Sequence, residues 1–299
     1  KKYNQDYYAE EFMKVTKKYQ TQKNQNYGIQ KVPHLVHEYG YEGKPIPIWY
    51  DDLCKYYNVS KEEVIELSTR KSGRKPSLPG SPTCEPISGM TWEELWYANP
   101  RDTIAQKMHF YDEIGSWQSF RILNYRKDEN YSPVFNMLKD ANSSILEYGA
   151  GAAPFTNYFI ERMNDNHNYR FTVTDVPCEH LRFAEWRIRR KAPNSYFNFI
   201  EVTPEKMVPD FGDEQFDFVC IADVLEHLPN PYDVMIEIHK HMKIGSLIWE
   251  TWRVDDDGAG EADLQEAEDQ REVTTAFMDD KFEVVVSQYG GGTIRKKVR

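Results

Sequence analysis

The chain has 299 residues, with 48 Asp and Glu against 37 Lys and Arg, a formal charge of −11, 16 Gly, 16 Pro and 14% aromatic residues. That length supports one or two domains with a substantial core, the aromatic content excludes wholesale disorder, and the Gly and Pro counts exclude collagen-like or low-complexity chains. No apolar run reaches membrane-spanning length, and the acidic balance disfavours polyanion binding, which needs clustered Lys and Arg.

Residues 1–30 are polar and lack the apolar centre of a secretion signal, and a helix is expected from Asp6 to Tyr19. The stretch Tyr50 to Arg70 reads as two short helical pieces. Ser60 and Glu63, three residues apart, form a capping box at the start of the second. Pro76, Pro79, Pro82 and Pro86, with Gly73, Gly80 and Gly89, then make 71–90 a loop, linker or lid. Thr91 and Glu94 make a second capping box ahead of Leu95 and Trp96, and Pro100 interrupts that helix. Residues 101–125 carry His109, Phe110, Tyr111, Trp117, Phe120 and Tyr125. Residues 1–140 are therefore expected to form a mainly helical cap.

From residue 141 short apolar strands alternate with helices. Strands are predicted at Ser144–Tyr148, Tyr169–Thr174, Tyr196–Val202, Phe216–Ala222 and Ser246–Thr251, and a terminal hairpin at Phe282–Gln288 and Thr293–Arg299 around Gly290–Gly292. Helices are predicted at Phe155–Met163, Glu179–Lys191, Pro231–Met242 and Glu261–Met278. The last is preceded by acid: Asp255 to Glu272 holds nine carboxylates and one Arg, which reads as a solvated face. The alternation predicts an α/β domain over 141–299, a doubly wound, mostly parallel seven-stranded sheet closed by an antiparallel hairpin.

Cysteines at 54, 84, 178 and 220 form no CxxC pair, so they read as reduced thiols of a cytoplasmic-type protein. His239 and His241 are not four apart on their helix, which disfavours a zinc pair.

The chemistry-bearing segment is Ile145-Leu146-Glu147-Tyr148-Gly149-Ala150-Gly151-Ala152-Ala153-Pro154-Phe155. A strand runs into a glycine turn, and Pro154 opens the next helix. Gly149 permits the turn, and Gly151 lets backbone N–H groups approach a ligand. A dinucleotide fingerprint wants glycine at 154, and Glu147 would repel phosphate but suits a cationic ligand region.

These residues resemble the first motif of the class I S-adenosylmethionine-dependent methyltransferases, an acidic residue followed by GxGxG, with Ala153 in place of the last glycine. Two further blocks carry the resemblance. Val173-Thr174-Asp175-Val176 offers, 24 residues past Gly151, the carboxylate that such enzymes use on ribose hydroxyls. Phe216–Pro231 contains Asp223-Val224-Leu225-Glu226-His227-Leu228-Pro229, similar to the family's fourth strand and following turn.

The resemblance implies S-adenosylmethionine as cofactor, held along Glu147, Gly149, Ala150, Gly151, Asp175, Val176, Ala222 and Asp223. Thr203 stands where the family usually has an adenine-reading Asp, so that role falls to Thr203, Glu205 or backbone groups. His227 is the implied general base where the acceptor must lose a proton. Tyr111, Trp117, Trp249 and Trp252 are the aromatic candidates for acceptor contact. Asp223, Glu250 and Asp255 occupy positions where some relatives bind Mg²⁺, but the paired Asp-Asn after the fifth strand is absent, so no catalytic metal is expected. The leading expectation is methyl transfer to an O or N atom of a small metabolite, without membrane or nucleic-acid partners. The alternatives are a macromolecular acceptor, prompted by a helix–turn–helix flavour in Leu53–Pro76 and the nearby Arg70, Lys71, Arg74 and Lys75, and a non-catalytic binding protein of the same fold.

Overall fold

The computed structural model describes residues 49–61, 63–64, 96–113, 119, 128–138, 142–162, 169–252, 263–289 and 291–299. The expected helix at Asp6–Tyr19, the loop at 71–90, the Thr91–Glu94 box, Cys84 and Trp117 lie outside them, as does most of Leu53–Pro76.

Seven strands form one sheet in the order β3-β2-β1-β4-β5-β7-β6. They are β1 (Ser144–Tyr148), β2 (Arg170–Asp175), β3 (Tyr196–Glu201), β4 (Phe216–Ala222), β5 (Met242–Thr251), β6 (Phe282–Tyr289) and β7 (Gly292–Lys297). The first five pair in parallel, and β7 runs antiparallel to both β5 and β6. This is the architecture that the strand–helix alternation predicts. β1 pairs with β2 on one side and with β4 on the other, so the chain order reverses there. The crevice beyond the carboxyl ends of β1 and β4 is where sheets of this kind bind ligands.

The described helices are α1 (Trp49–Tyr57), α2 (Ile104–Glu113), α3 (Asp128–Leu138), α4 (Pro154–Ile160), α5 (Glu179–Lys191), α6 (Pro231–Lys240) and α7 (Gln265–Lys281). Side chains alternate across each strand, which sorts the core into two layers. Ile145, Phe218, Cys220, Leu247 and Trp249 pack with α3, α4 and α5. Leu146, Val219, Ile221 and Ile248 pack with α6 and Met278 of α7. Helix α3, which holds Pro133 inside it, is not among the individually predicted elements and falls within the expected helical cap. It nonetheless places Tyr131, Val134, Met137 and Leu138 in the sheet's own core. There Tyr131 meets Phe155 edge to face.

The predicted capping box closes: the Ser60 N–H donates to Glu63 Oε2 at 2.7 Å, and the Glu63 N–H donates to Ser60 Oγ at 3.2 Å. A second, unforeseen box starts α2, where the Gln106 N–H donates to Thr103 Oγ1 at 3.2 Å and the Thr103 N–H to Gln106 Oε1 at 3.0 Å.

Helix α1 is fastened to α5 by charge. Arg187 is fully buried and donates to Asp52 at 2.9 Å and Glu161 at 2.7 Å, and also to Asn157. Its guanidinium lies 3.9 Å from the Trp49 ring centroid. Asn157 in turn donates to the carbonyls of Ala152 and Ala153, so the network reaches the glycine turn.

Candidate functional site

The strand-to-helix turn after β1 is built from left-handed backbone. Gly149, Gly151 and Ala153 have φ of +64°, +55° and +53°. A Cβ on Gly149 would stand 2.4 Å from Val224 Cγ2, so the turn is pressed against the segment after β4. Ala153 carries its Cβ in the same left-handed region, at a cost of roughly 1 kcal/mol relative to glycine.

Glu147 sits under this turn, buried. Its carboxylate accepts the Phe155 N–H at 3.1 Å and the Thr156 N–H at 2.8 Å, two of the donors exposed at the start of α4. Burial pushes the carboxyl up to about 7, opposed by the Thr156 hydroxyl and these two amides. Glu147 thus holds the helix start rather than facing the crevice.

Asp175 ends β2. One carboxylate oxygen accepts the Gly151 N–H and the other its neighbour Val176 N–H at 2.7 Å. The Thr174 carbonyl accepts from Ala150 at 3.0 Å. Burial raises the Asp175 carboxyl, while the His180 imidazole and the two amides lower it. His180, buried in the first turn of α5, lies beneath the turn: a Cβ on Gly151 would be 3.7 Å from its Cδ2.

On the other side of the crevice Ala222 closes β4, and Asp223 takes φ +57°. The neighbouring strand holds it there, since Thr251 Oγ1 donates to Asp223 Oδ1 at 2.8 Å and accepts the Asp223 N–H. A 3₁₀ turn over Leu225–His227 follows, with Glu226 buried and His227 half-buried. The Glu226 carbonyl accepts the Leu264 N–H at 2.9 Å, tying this turn to the start of α7.

Helix α2 crosses above. Asp112 pairs with Arg182 of α5 at 2.7 Å, and Lys107 pairs with Glu266 of α7. Between them Tyr111 comes under the field of Asp175, Glu226 and Asp263; burial first, then these carboxylates, hold its phenol well above the usual tyrosine range.

The crevice therefore brings together Gly149, Ala150, Gly151, Asp175, Val176, Ala222, Asp223 and Tyr111, with His227 on its rim. Thr203 and Glu205 follow the end of β3, beside Asp175, whose carbonyl accepts the Val202 N–H at 2.8 Å. Thr203 uses its hydroxyl to accept the Lys206 N–H of its own turn at 3.2 Å, and Glu205 is exposed at that turn. Trp249 corrects the expectation of an acceptor contact. It shares the parity of Leu247, which turns it into the α3–α4 layer, where it is fully buried and donates to the Tyr289 carbonyl at 3.1 Å. Trp252, beyond the end of β5, does border space. With Glu250, Arg271 and Arg295 it lines a 420 Å³ cavity between α7 and the hairpin. Glu250 pairs there with Arg295 at 3.2 Å. His180 and Thr251 shape the site without a motif to announce them, whereas Val224 lies within the Asp223–Pro229 block; Thr251 is placed by its pairing with Ala222 in the β4–β5 register.

Comparison with known proteins converges on the same segment. The family model described as "Methyltransferase domain" matches residues 146–249, which run from β1 through β5. This segment is a class I S-adenosylmethionine-dependent methyltransferase domain. S-adenosylmethionine is the cofactor of that family. Over 104 residues the chain is 24% identical to the highly reducing polyketide synthase verA of Penicillium polonicum, covering 35% of this chain and 4% of that much longer protein. Among solved structures it is similar to the N-methyltransferase NodS of Bradyrhizobium japonicum, at 18% identity, covering 59% of this chain and 98% of that one with a TM-score of 0.42. It is also similar to an S-adenosylmethionine-dependent methyltransferase of Aquifex aeolicus, at 17% identity, 55% and 88% coverage and a TM-score of 0.40. No described helix is long and apolar enough to cross a membrane.

Proposed function

We propose that the chain methylates an O or N atom of a small metabolite, with S-adenosylmethionine as donor. The observation that carries this reading is the roof over the strand ends. Helix α2 is pinned to α5 through Asp112 and to α7 through Lys107, and its Tyr111 lies in the field of Asp175, Glu226 and Asp263. A covered, negatively charged crevice opposes a phosphate backbone and suits a compact acceptor.

The residues present fit the cofactor. Asp175 spends one lone pair of each oxygen on a backbone amide and keeps others for a vicinal diol. Gly149 and Gly151 leave the turn bare of side chains where a ligand approaches. The carboxylates suit the positive charge of a sulfonium.

When bound, the donor supplies an activated methyl group on sulfur. The protein's part is to orient and to exclude water. The glycine turn and Asp175 fix one partner. Asp223, held in its left-handed conformation by Thr251, and Tyr111 bound the space left for the other. Tyr111 keeps its phenolic proton at neutral pH, so it acts as a hydrogen-bond donor to the acceptor. His227 accepts the proton that a hydroxyl or ammonium acceptor must lose.

The test is to incubate the purified chain with S-adenosylmethionine and separate pools of small hydroxyl and amine compounds, transfer RNA and protein, reading mass gain of one methylene. Gain confined to the small-molecule pools supports the reading. Gain only on RNA or protein overturns it.

A further inference from the structure

We propose that Asp175, Cys178 and His180 bind one thiophilic divalent cation of the zinc class, in the turn between β2 and α5. One ligand atom from each lies within 4.8 Å of the other two. They are a carboxylate oxygen, a sulfur and an imidazole nitrogen, a mixed set that suits zinc and leaves a fourth position for water. Bonds of the usual length around a tetrahedral zinc put ligand atoms about 3.5 Å apart, so closure needs a shift of about an ångström.

The three donors are already placed. Asp175 is fixed by the Gly151 and Val176 amides. Cys178 is the N-cap residue of α5, with extended backbone at φ −143°. His180 follows in the first turn, and both Cys178 and His180 are buried. Binding would exchange one bond for another without redox change: the Cys178 thiol proton leaves to solvent and a sulfur–metal bond forms.

A second consequence rests on the reading given under Proposed function. The metal would use the Asp175 carboxylate that faces the cofactor's ribose, so cation and cofactor exclude one another. Zinc would then act as an inhibitor competitive with S-adenosylmethionine, set in the cofactor subsite rather than in the chemistry.

The probe is Co²⁺, titrated into the purified full chain while its absorption spectrum is recorded. The expected result is a thiolate-to-cobalt charge-transfer band saturating at one equivalent. Cys178→Ser, a substitution suited to an N-cap position, should abolish the band, and His180→Gln should weaken cobalt binding at least about tenfold. No such band in the wild type, or a band that survives Cys178→Ser, overturns the site. S-adenosylhomocysteine should then bleach the band. If calorimetry shows that it binds while the band stays, the overlap is wrong. A cobalt band with no S-adenosylhomocysteine binding upholds the metal site and sinks the cofactor reading.

Discussion

Replacing Asp175 by Ala removes an acceptor with two duties. Its carboxylate takes the Gly151 and Val176 amides, and it is the group proposed to take the ribose hydroxyls. A hydrogen bond to a charged group is worth about 1.5–3 kcal/mol. Losing the ribose contact alone therefore weakens binding about ten- to 150-fold, at 1.36 kcal/mol per decade. The amides add to this. With Gly151 N–H unsatisfied, the glycine turn loosens, so the effect on binding lies toward the upper end. Asp175→Asn keeps one carbonyl oxygen for an amide and should fall between wild type and Ala. The assay is titration calorimetry with S-adenosylhomocysteine, run on variants whose melting curves show cooperative unfolding. An affinity within about twofold of wild type in a folded Asp175→Ala protein would refute the reasoning.

Three further outcomes are expected. Glu147 holds its proton up to about pH 7 in the fold, against 4.5 ordinarily, so stability falls as pH rises through that window, by on the order of 3 kcal/mol. Glu147→Gln should flatten this slope in urea melts taken across that range, and an unchanged slope would absolve Glu147. Asp52→Asn strips the buried Arg187 of one partner and leaves Arg190 and Lys191 beside it, costing about 3 kcal/mol in denaturant unfolding. His227→Ala should lower turnover roughly 10²–10⁴-fold while S-adenosylhomocysteine affinity stays put. Full turnover would mean that the proton leaves by another route.

Much of the sheet was legible because its strands are buried and apolar and its breaks are marked by glycine and proline. Ser144–Tyr148 and Phe216–Ala222 fall at the predicted bounds, and so does the helix Glu179–Lys191. The left-handed glycines were legible too, since a strand ending in GxG has few other uses. What escaped depended on contacts across the chain. Helix α3 was not singled out, and its place is set by Tyr131 meeting Phe155 across the chain. The direction of Trp249 follows from strand parity, and the motif around it gave no view of that parity. Glu147 reads as a cofactor contact from its place in the glycine motif; only the position of α4 reveals that its two oxygens accept the Phe155 and Thr156 amides. Cys178 and His180 show no CxxC or HxxxH spacing, so their meeting with Asp175 appears only once the turn is folded.

The two ties on α2 bear on how molecules enter and leave. Both Arg182 and Asp112 are more than a third exposed, so their pair is worth at most about 1 kcal/mol and weakens within the ~8 Å screening length of physiological salt. The middle of α2 is different: Phe110 is buried against Trp96, Leu264 and Ala267. The helix is thus held by one salt-sensitive tie at Asp112, a more buried one at Lys107, and an apolar seat at Phe110. Raising the ionic strength loosens the Asp112 end of the helix and leaves the apolar seat of Phe110 in place. On the function proposed above, exchange of donor and spent product past this helix quickens as salt rises.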